Sequence, residues 1–400
     1  MKILHTSDWH IGKIVNEYSM IKDQEYILNE LLQVVKNENI DVVVIAGDIY
    51  DRSIPPTEAV DLLDEVLSDL IVNQKVKVLA ISGNHDSGER IGFASKILQK
   101  QGLHMVGSYE ELYRKVTLIE NNQNINFYLV PYKDPAVIKK LIDDSSIKNH
   151  NDANEAVVNL IKKELNTNEI NILVGHGYVT MKREEAIECE NMENMYESAH
   201  LEVSQSERPL SIGGTDLIDG KIYEDFDYVA LGHLHKRQKI GRETMNYSGS
   251  LLKYSFSEAN NKNGVKIITI NDKDVDVDFK ELKPLRDLRV IKGSLEDLLN
   301  EGRDLEQGKD DYIQAILTDE GALINPMESL KQVYKNAMLI TREKRKEHDN
   351  ENKAAKGEYK SKTKLELFED FYKDLGSGEY DKEKEKVLID VINTVLKEEK

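Results

Sequence analysis

Cysteine is almost absent: the 400-residue chain holds one, Cys189. A single thiol excludes an intrachain disulfide framework and a thiolate metal cluster, and it fits a reducing compartment. Long apolar runs are absent too, with no stretch approaching the roughly 18 residues that a membrane span needs. The chain opens directly on a strand-like Lys2-Ile3-Leu4-His5-Thr6-Ser7 with no signal-peptide pattern. The expectation is a soluble, cytoplasmic protein that does not associate with membranes. Positive charge is in deficit, since 54 Lys and Arg against 73 Asp and Glu leave a net charge of −19. That excludes a general nucleic-acid coat, but a local basic groove could still take DNA as a substrate.

What is present suffices for a folded core. Hydrophobic residues make up 40% of the chain, and its length suits two or three units. The first half alternates short buried-strand signatures with helical patterns. Asp41–Ala46 and Lys75–Ser82 read as strands, Glu58–Val72 as an amphipathic helix, and Ile91–Gln101 as another helix. Leu118–Glu120 and Ile125–Val130 flank Asn121-Asn122-Gln123-Asn124 as a hairpin, 152–165 is helical and 170–174 is a strand. From about 244 short strands dominate, which predicts a β-rich second layer and hence an α/β fold of the αββα-sandwich type over 1–282. Beyond Pro284, residues 284–341 read as a small α+β capping domain. Residues 342–363 form a charged linker, and 364–400 form a helical tail with amphipathic helices at Leu365–Leu375 and Lys382–Lys397.

Five motifs carry the chemistry, each closing an apolar strand-like run. They are Ser7-Asp8-Trp9-His10, Gly47-Asp48-Ile49-Tyr50-Asp51, Gly83-Asn84-His85-Asp86, Gly175-His176-Gly177 and Gly232-His233-Leu234-His235. Any one of them alone is explained by a turn or a helix cap. Five in series at strand ends are not explained by packing. Asp8 and His10, like His233 and His235, are two residues apart, and in an extended segment that spacing puts both side chains on one face. Asp8, His10, Asp48, Asn84, His176, His233 and His235 exceed what one ion needs and suit two ions sharing a carboxylate. Two such ions about 3.5–4 Å apart polarise a phosphoryl group and supply a hydroxide nucleophile. Carboxylate, imidazole and amide ligands without thiolate suit Mn²⁺, with Mg²⁺, Fe²⁺ or Zn²⁺ as alternatives. His85, adjacent to Asn84, points elsewhere and suits protonation of a leaving oxygen. Asp51 either hydrogen-bonds His85 and raises its pKa, or is an N-cap or the salt-bridge partner of Arg52.

The set resembles the calcineurin-like metallophosphoesterases, whose pattern runs D-x-H, G-D-x-x-D, G-N-H-D/E, G-H and G-H-x-H, over residues 1 to about 282. Thr6 to Lys13, Gly47 to Ser53, Ser206-Glu207-Arg208-Pro209-Leu210-Ser211, Asp227 to His235, Tyr247 to Ser250 and Lys253 to Ser257 bring it closer to the nuclease subunits of bacterial DNA-repair complexes. This resemblance implies one ion on Asp8, His10, Asp48 and His235, and a second on Asp48, Asn84, His176 and His233, with Asp48 bridging. It makes His85 the proton-donating or transition-state-stabilising histidine. Archaeal and eukaryotic relatives carry histidine where this chain has Asp51, so Asp51 takes an orienting role.

The resemblance also implies Mn²⁺-dependent cleavage of DNA as a 3′–5′ exonuclease on duplex ends and an endonuclease on single strands and hairpins. It further implies a coiled-coil ATPase partner docked on the terminal helices, and a homodimer formed through about 58–72 and 91–101. Without it, those terminal helices read rather as a self-packed hairpin than as a docking element, and most of Leu62, Leu63, Val66, Leu67 and Leu70 as core. Lys13, Arg52, Arg90, Lys236, Arg237, Lys239 and Arg242 are the candidates for phosphate contact. A phosphomonoesterase or small-molecule phosphodiesterase on the same core, or a non-catalytic scaffold, are the competing readings.

Overall fold

The computed structural model describes residues 1–343 apart from 190, 191, 208, 209 and 211–215, together with 386, 387 and 389. Apart from residues 342 and 343 and those last three positions, the expected linker and terminal helices lie outside the described residues. The chain divides into two units, Met1–Arg289 and Val290–Lys400.

The first unit is built on strands β1 (Lys2–Thr6), β2 (Val42–Ala46), β3 (Lys77–Ile81), β4 (Leu103–Val106), β5 (Arg114–Glu120), β6 (Gln123–Leu129), β7 (Ile170–His176), β8 (Tyr228–Gly232), β9 (Gln238–Lys239), β10 (Met245–Tyr247), β11 (Gly264–Asn271) and β12 (Asp274–Glu281). One sheet runs β12-β11-β1-β2-β3-β4 and the other β9-β10-β8-β7-β6-β5. Every residue of β2 is buried, so this β-branched run packs on both faces. Ile3, Val42, Val44, Leu79 and Ile81 meet Phe127, Leu129, Ile172, Val174 and Ala230 in a core between the sheets. Outside the second sheet, Leu173, Val229 and Leu231 pack on Ala153, Val157 and Ile161 of a helix over His150–Lys162. Helices α1 (Ile21–Glu38) and α2 (Thr57–Ser68) each bury one apolar stripe, Ile27, Leu28, Leu31 and Val35 on the first and Leu62, Leu63 and Val66 on the second. The α1 chain stops at Asn39, whose left-handed conformation (φ 53°) breaks the helix. The result is a mixed α/β fold of two stacked sheets flanked by helices.

Three expectations change in detail. The strands after 260 do not extend the second layer: β11 returns to the first sheet, antiparallel to β1, with Ile3 opposite Ile268. The hairpin turn is tighter than four residues, because Asn121 and Asn122 both adopt positive φ and leave only two residues between β5 and β6. The helix expected over Ile91–Gln101 is broken. Gly88–Ile91 and Ser95–Leu98 are single turns separated by Ala94 at φ 58°, and Gln99–Gln101 is a 3-10 turn.

In the second unit a three-stranded sheet, Leu288–Gly293, Tyr312–Leu317 and Asn336–Arg342, is ordered as in sequence. Helices Leu295–Asp304 and Pro326–Lys331 supply Leu298 and Leu330 to a core with Ile313, Ala315, Leu317 and Tyr334. Among the described residues, no helix is long and apolar enough to cross a membrane.

Candidate metal centre

Parallel pairing decides where the five motifs go. β1, β2 and β3 are parallel neighbours, as are β7 and β8, so their carboxyl ends lie along one edge of each sheet. The loops after β1 and β2 then bind each other: Asp8 N–H donates to Gly47 O at 3.1 Å and His10 N–H to Asp48 O at 3.0 Å. The two sheets approach closely at this edge, and His176 Nδ1 of the second donates to Ala46 O of the first at 2.8 Å. Glycine is required here. A Cβ on Gly232 would stand 1.9 Å from Ala46 O, and one on Gly83 would stand 2.2 Å from Asp48 Oδ1.

The seven predicted ligand residues come together, and all but Asn84 are buried. His10 Nε2 and His235 Nε2 are 3.0 Å apart, with an Asp8 oxygen within reach of both. His176 Nε2 lies 3.3 Å from His233 Nδ1, 2.9 Å from Asn84 Oδ1 and 3.5 Å from Asp48 Oδ2. Between the groups, Asp48 Oδ2 is 3.7 Å from His10 Nε2. Ring nitrogens converging at hydrogen-bond distance inside a buried carboxylate cage fit divalent cations better than they fit one another, because each pair of nitrogens can share only one proton. These His and Asp groups suit a dimetal site.

The route to convergence differs from the extended-strand argument. Asp8 (φ 54°), His10 (46°), Asp48 (51°) and His233 (109°) all sit at positive φ, not in β geometry. Such backbones cost about 1–3 kcal/mol each and persist only where surrounding bonds over-determine them. Those bonds are present. Asp8 carboxylate accepts from His233 N–H at 3.0 Å and from Ser7 Oγ at 2.5 Å, while Asp48 Oδ1 accepts from His85 N–H at 2.9 Å. Asp86 clamps the β2 and β3 loops by accepting from the N–H groups of Ile49, Tyr50 and Gly83.

Burial dominates the electrostatics. It pushes Asp8 up to about 6, although His176 and His235 pull the other way, and Asp86 up to about 7, with Asp48 adding repulsion. Burial likewise drives His10 and His233 well below the ordinary histidine range, leaving them neutral with a lone pair to give. Burial also opposes charge on His176 and His235, yet Asp48 beside the first and Glu258 beside the second carry both up to about 9. Asp48 lies well below the usual carboxylate range despite its burial, with His176, His10 and His85 around it.

His85 and Asp51 are neighbours in a way the residue types did not foretell. His85 Nδ1 lies 2.8 Å from the backbone oxygen of Asp51, not from its carboxylate. The carboxylate is held by Lys13 Nζ at 2.7 Å and lies 3.7 Å from His10 Nδ1. A carbonyl only accepts, so Nδ1 carries hydrogen and Nε2 is the ring atom left for chemistry.

Several basic candidates are already committed. Lys13 pairs with Asp51, Lys236 with Glu202 and Lys239 with Glu243, and Arg242 donates to the carbonyls of Tyr223 and Phe226. Arg237 stacks 4.0 Å over the Phe279 ring, while Arg52 and Arg90 are exposed. Sequence reasoning missed Gln24 and Glu258. Gln24 accepts from Gly12 N–H at 2.9 Å and donates to His10 O at 2.7 Å, fixing the first loop. Glu258 stands behind His235. In sequence, Ser255-Phe256-Ser257-Glu258 has the S-x-x-E spacing of a helix cap, which hides that role.

Comparison with known proteins agrees with this geometry. The calcineurin-like phosphoesterase family model matches residues 1–237. The chain belongs to that family. It is therefore a metal-dependent phosphoester hydrolase with the corresponding fold. A second model, the type 5 capsule protein repressor C-terminal domain, matches residues 284–375. The SbcCD nuclease subunit from Staphylococcus saprophyticus is 36% identical over 341 residues, covering 85% of this chain and 84% of that protein. Among solved structures, a dimetal phosphatase from Danio rerio aligns at 12% identity over 71% of this chain and 98% of its own, with a TM-score of 0.40. A score that low adds nothing to the fold described above.

Proposed function

We propose that this chain is a dimetal-dependent DNA nuclease that hydrolyses phosphodiester bonds during double-strand-break and hairpin processing. The observation that carries the reading is the convergence of His10, His176, His233 and His235 on Asp8 and Asp48. The kinship with a nuclease subunit over most of the chain narrows the substrate. In this reading Asp8, His10, Asp48 and His235 hold one divalent cation, and Asp48, Asn84, His176 and His233 hold the other. Mn²⁺ suits the thiolate-free set best, with Mg²⁺ as the alternative. When bound, two such cations polarise phosphoryl oxygens and acidify water.

The chain's own residues do the rest. Asp51 orients His85 through its carbonyl, and His85 Nε2, when protonated, gives its proton to the leaving oxygen. Arg52 and Arg90, exposed close to the His85 loops, bind substrate phosphates. The activity takes the form of a 3′–5′ exonuclease on duplex ends and an endonuclease on single strands and hairpins, in the cytoplasm.

The partner is an SbcC-type coiled-coil ATPase, docked through 364–400. A homodimer forms through the apolar side chains that α2 and the broken 88–101 segment leave outward, Val60, Phe93 and Ile97; the last two are 80% and 72% exposed. Leu62, Leu63, Val66 and Leu70 are buried and belong to the core.

The discriminating experiment compares end-labelled hairpin DNA with a nitrophenyl phosphoester under the same Mn²⁺ concentration. The nuclease reading expects efficient hairpin opening and little ester turnover. The reverse pattern would leave a small-molecule phosphoesterase.

A further inference from the structure

The two halves of the centre differ in what stands behind their imidazoles. In the first half, His10 and His235 both turn Nε2 inward and Nδ1 outward. Nδ1 of His235 lies 2.7 Å from Ser206 Oγ and 3.4 Å from Glu258 Oε1. Glu258 is fully buried and is itself fixed on every side. Ser204 Oγ donates to Oε1 at 2.6 Å, Ser206 Oγ donates to the same oxygen, and the Tyr254 N–H donates to Oε2 at 3.0 Å. A second carboxylate, Glu207, accepts the backbone N–H of His235 at 2.6 Å. The outward nitrogen of His10 faces the Asp51 carboxylate at 3.7 Å without a hydrogen bond, and that charge is paired with Lys13, so the backing of this half rests on His235.

Among the described residues the other half has no carboxylate hydrogen-bonded behind a ring: His176 Nδ1 donates to a neutral carbonyl, Ala46 O, and the outward Nε2 of His233 is buried without a hydrogen bond. Inside the centre the same bias appears, with Asp8 and Asp48 on one side against Asp48 and the amide of Asn84 on the other. A carboxylate behind an imidazole fixes its ring and raises its basicity as a ligand, and removing such a partner typically weakens metal binding about 10–100-fold.

We propose that Glu258, acting on His235 directly and through Ser206, is a positioning residue that makes the Asp8–His10–His235 half the tighter cation position, so that the centre fills in order. This rests on the reading of the centre as a two-cation site.

The test is titration of the full-length, metal-stripped protein with Mn²⁺, following the electron paramagnetic resonance signal of the free ion. The wild type is expected to bind two ions in two steps. Glu258→Gln, which keeps size and most hydrogen bonding but removes the charge, is expected to weaken the first step about 10–100-fold and leave the second in place. An unchanged melting temperature of the metal-free variant separates this from a general loss of structure. A folded Glu258→Gln with an unchanged first step would overturn the proposal while leaving the two-cation reading intact. A wild type that binds no Mn²⁺ would overturn both. Should Glu258→Gln not fold, Ser206→Ala, at a half-buried position, decides instead: a weakened first step supports the proposal and an unchanged one overturns it.

Discussion

His85 shows how much of this site is carried by atoms that a residue name does not reveal. Its Nδ1 meets the main-chain oxygen of Asp51, which any residue at position 51 would offer in the same backbone conformation, while the Asp51 carboxylate serves Lys13 and faces His10. In the proposed reading, proton donation by His85 and metal binding are therefore separable. His85→Asn should lower single-turnover DNA cleavage by about 10²–10⁴-fold, the usual contribution of a positioned proton donor. Mn²⁺ binding, counted in the same preparation, should stay at the wild-type level, and loss of metal with the substitution would make His85 a ligand instead. The seven ligand candidates were legible because Asp, His and Asn at five strand ends have no packing explanation. The conformation bringing them together was not. Spacing argued for extended i and i+2 pairs, whereas Asp8, His10 and His233 adopt left-handed backbones stabilised by cross-loop hydrogen bonds. Glu258 stayed hidden for a related reason: its partner His235 is 23 residues away, and its local context spells a cap.

At the scale of elements, alternation and burial specify a strand but not its neighbours. The Gly264–Asn271 and Asp274–Glu281 strands were readable as strands, yet nothing in their pattern tells the first to pair with residues 2–5 at the other end of the unit and so carry the second into the same sheet. The segment 88–101 fails differently: its helical periodicity is interrupted by Ala94 in the left-handed region, leaving Phe93 and Ile97 outward. Where the two sheets meet, β8 must pass against Ala46, and only glycine at 232 allows it. Gly232→Ala should therefore destabilise the fold by about 2–4 kcal/mol, at the upper end of what a backbone clash or overpacking produces. A chemical-denaturation midpoint equal to that of the wild type would show that the sheet edges are looser than this contact implies.

At the scale of the molecule, the proposed reading reconciles the charge of −19 with a nucleic-acid substrate by local supply: two cations and the exposed Arg52 and Arg90 would act within an acidic chain. The centre lies wholly within Met1–Arg289, so chemistry should not need the tail. Truncation after residue 343 should leave Mn²⁺-dependent cleavage intact and abolish co-purification with the coiled-coil ATPase; retained binding would move the docking site elsewhere. The most direct measurement is hairpin-DNA cleavage by chelator-stripped protein as Mn²⁺ is added back, with bound ions counted at each point. The account predicts no cleavage without metal and activity that rises as the second ion binds. Undiminished cleavage by the stripped protein, or none with two ions bound, would contradict it.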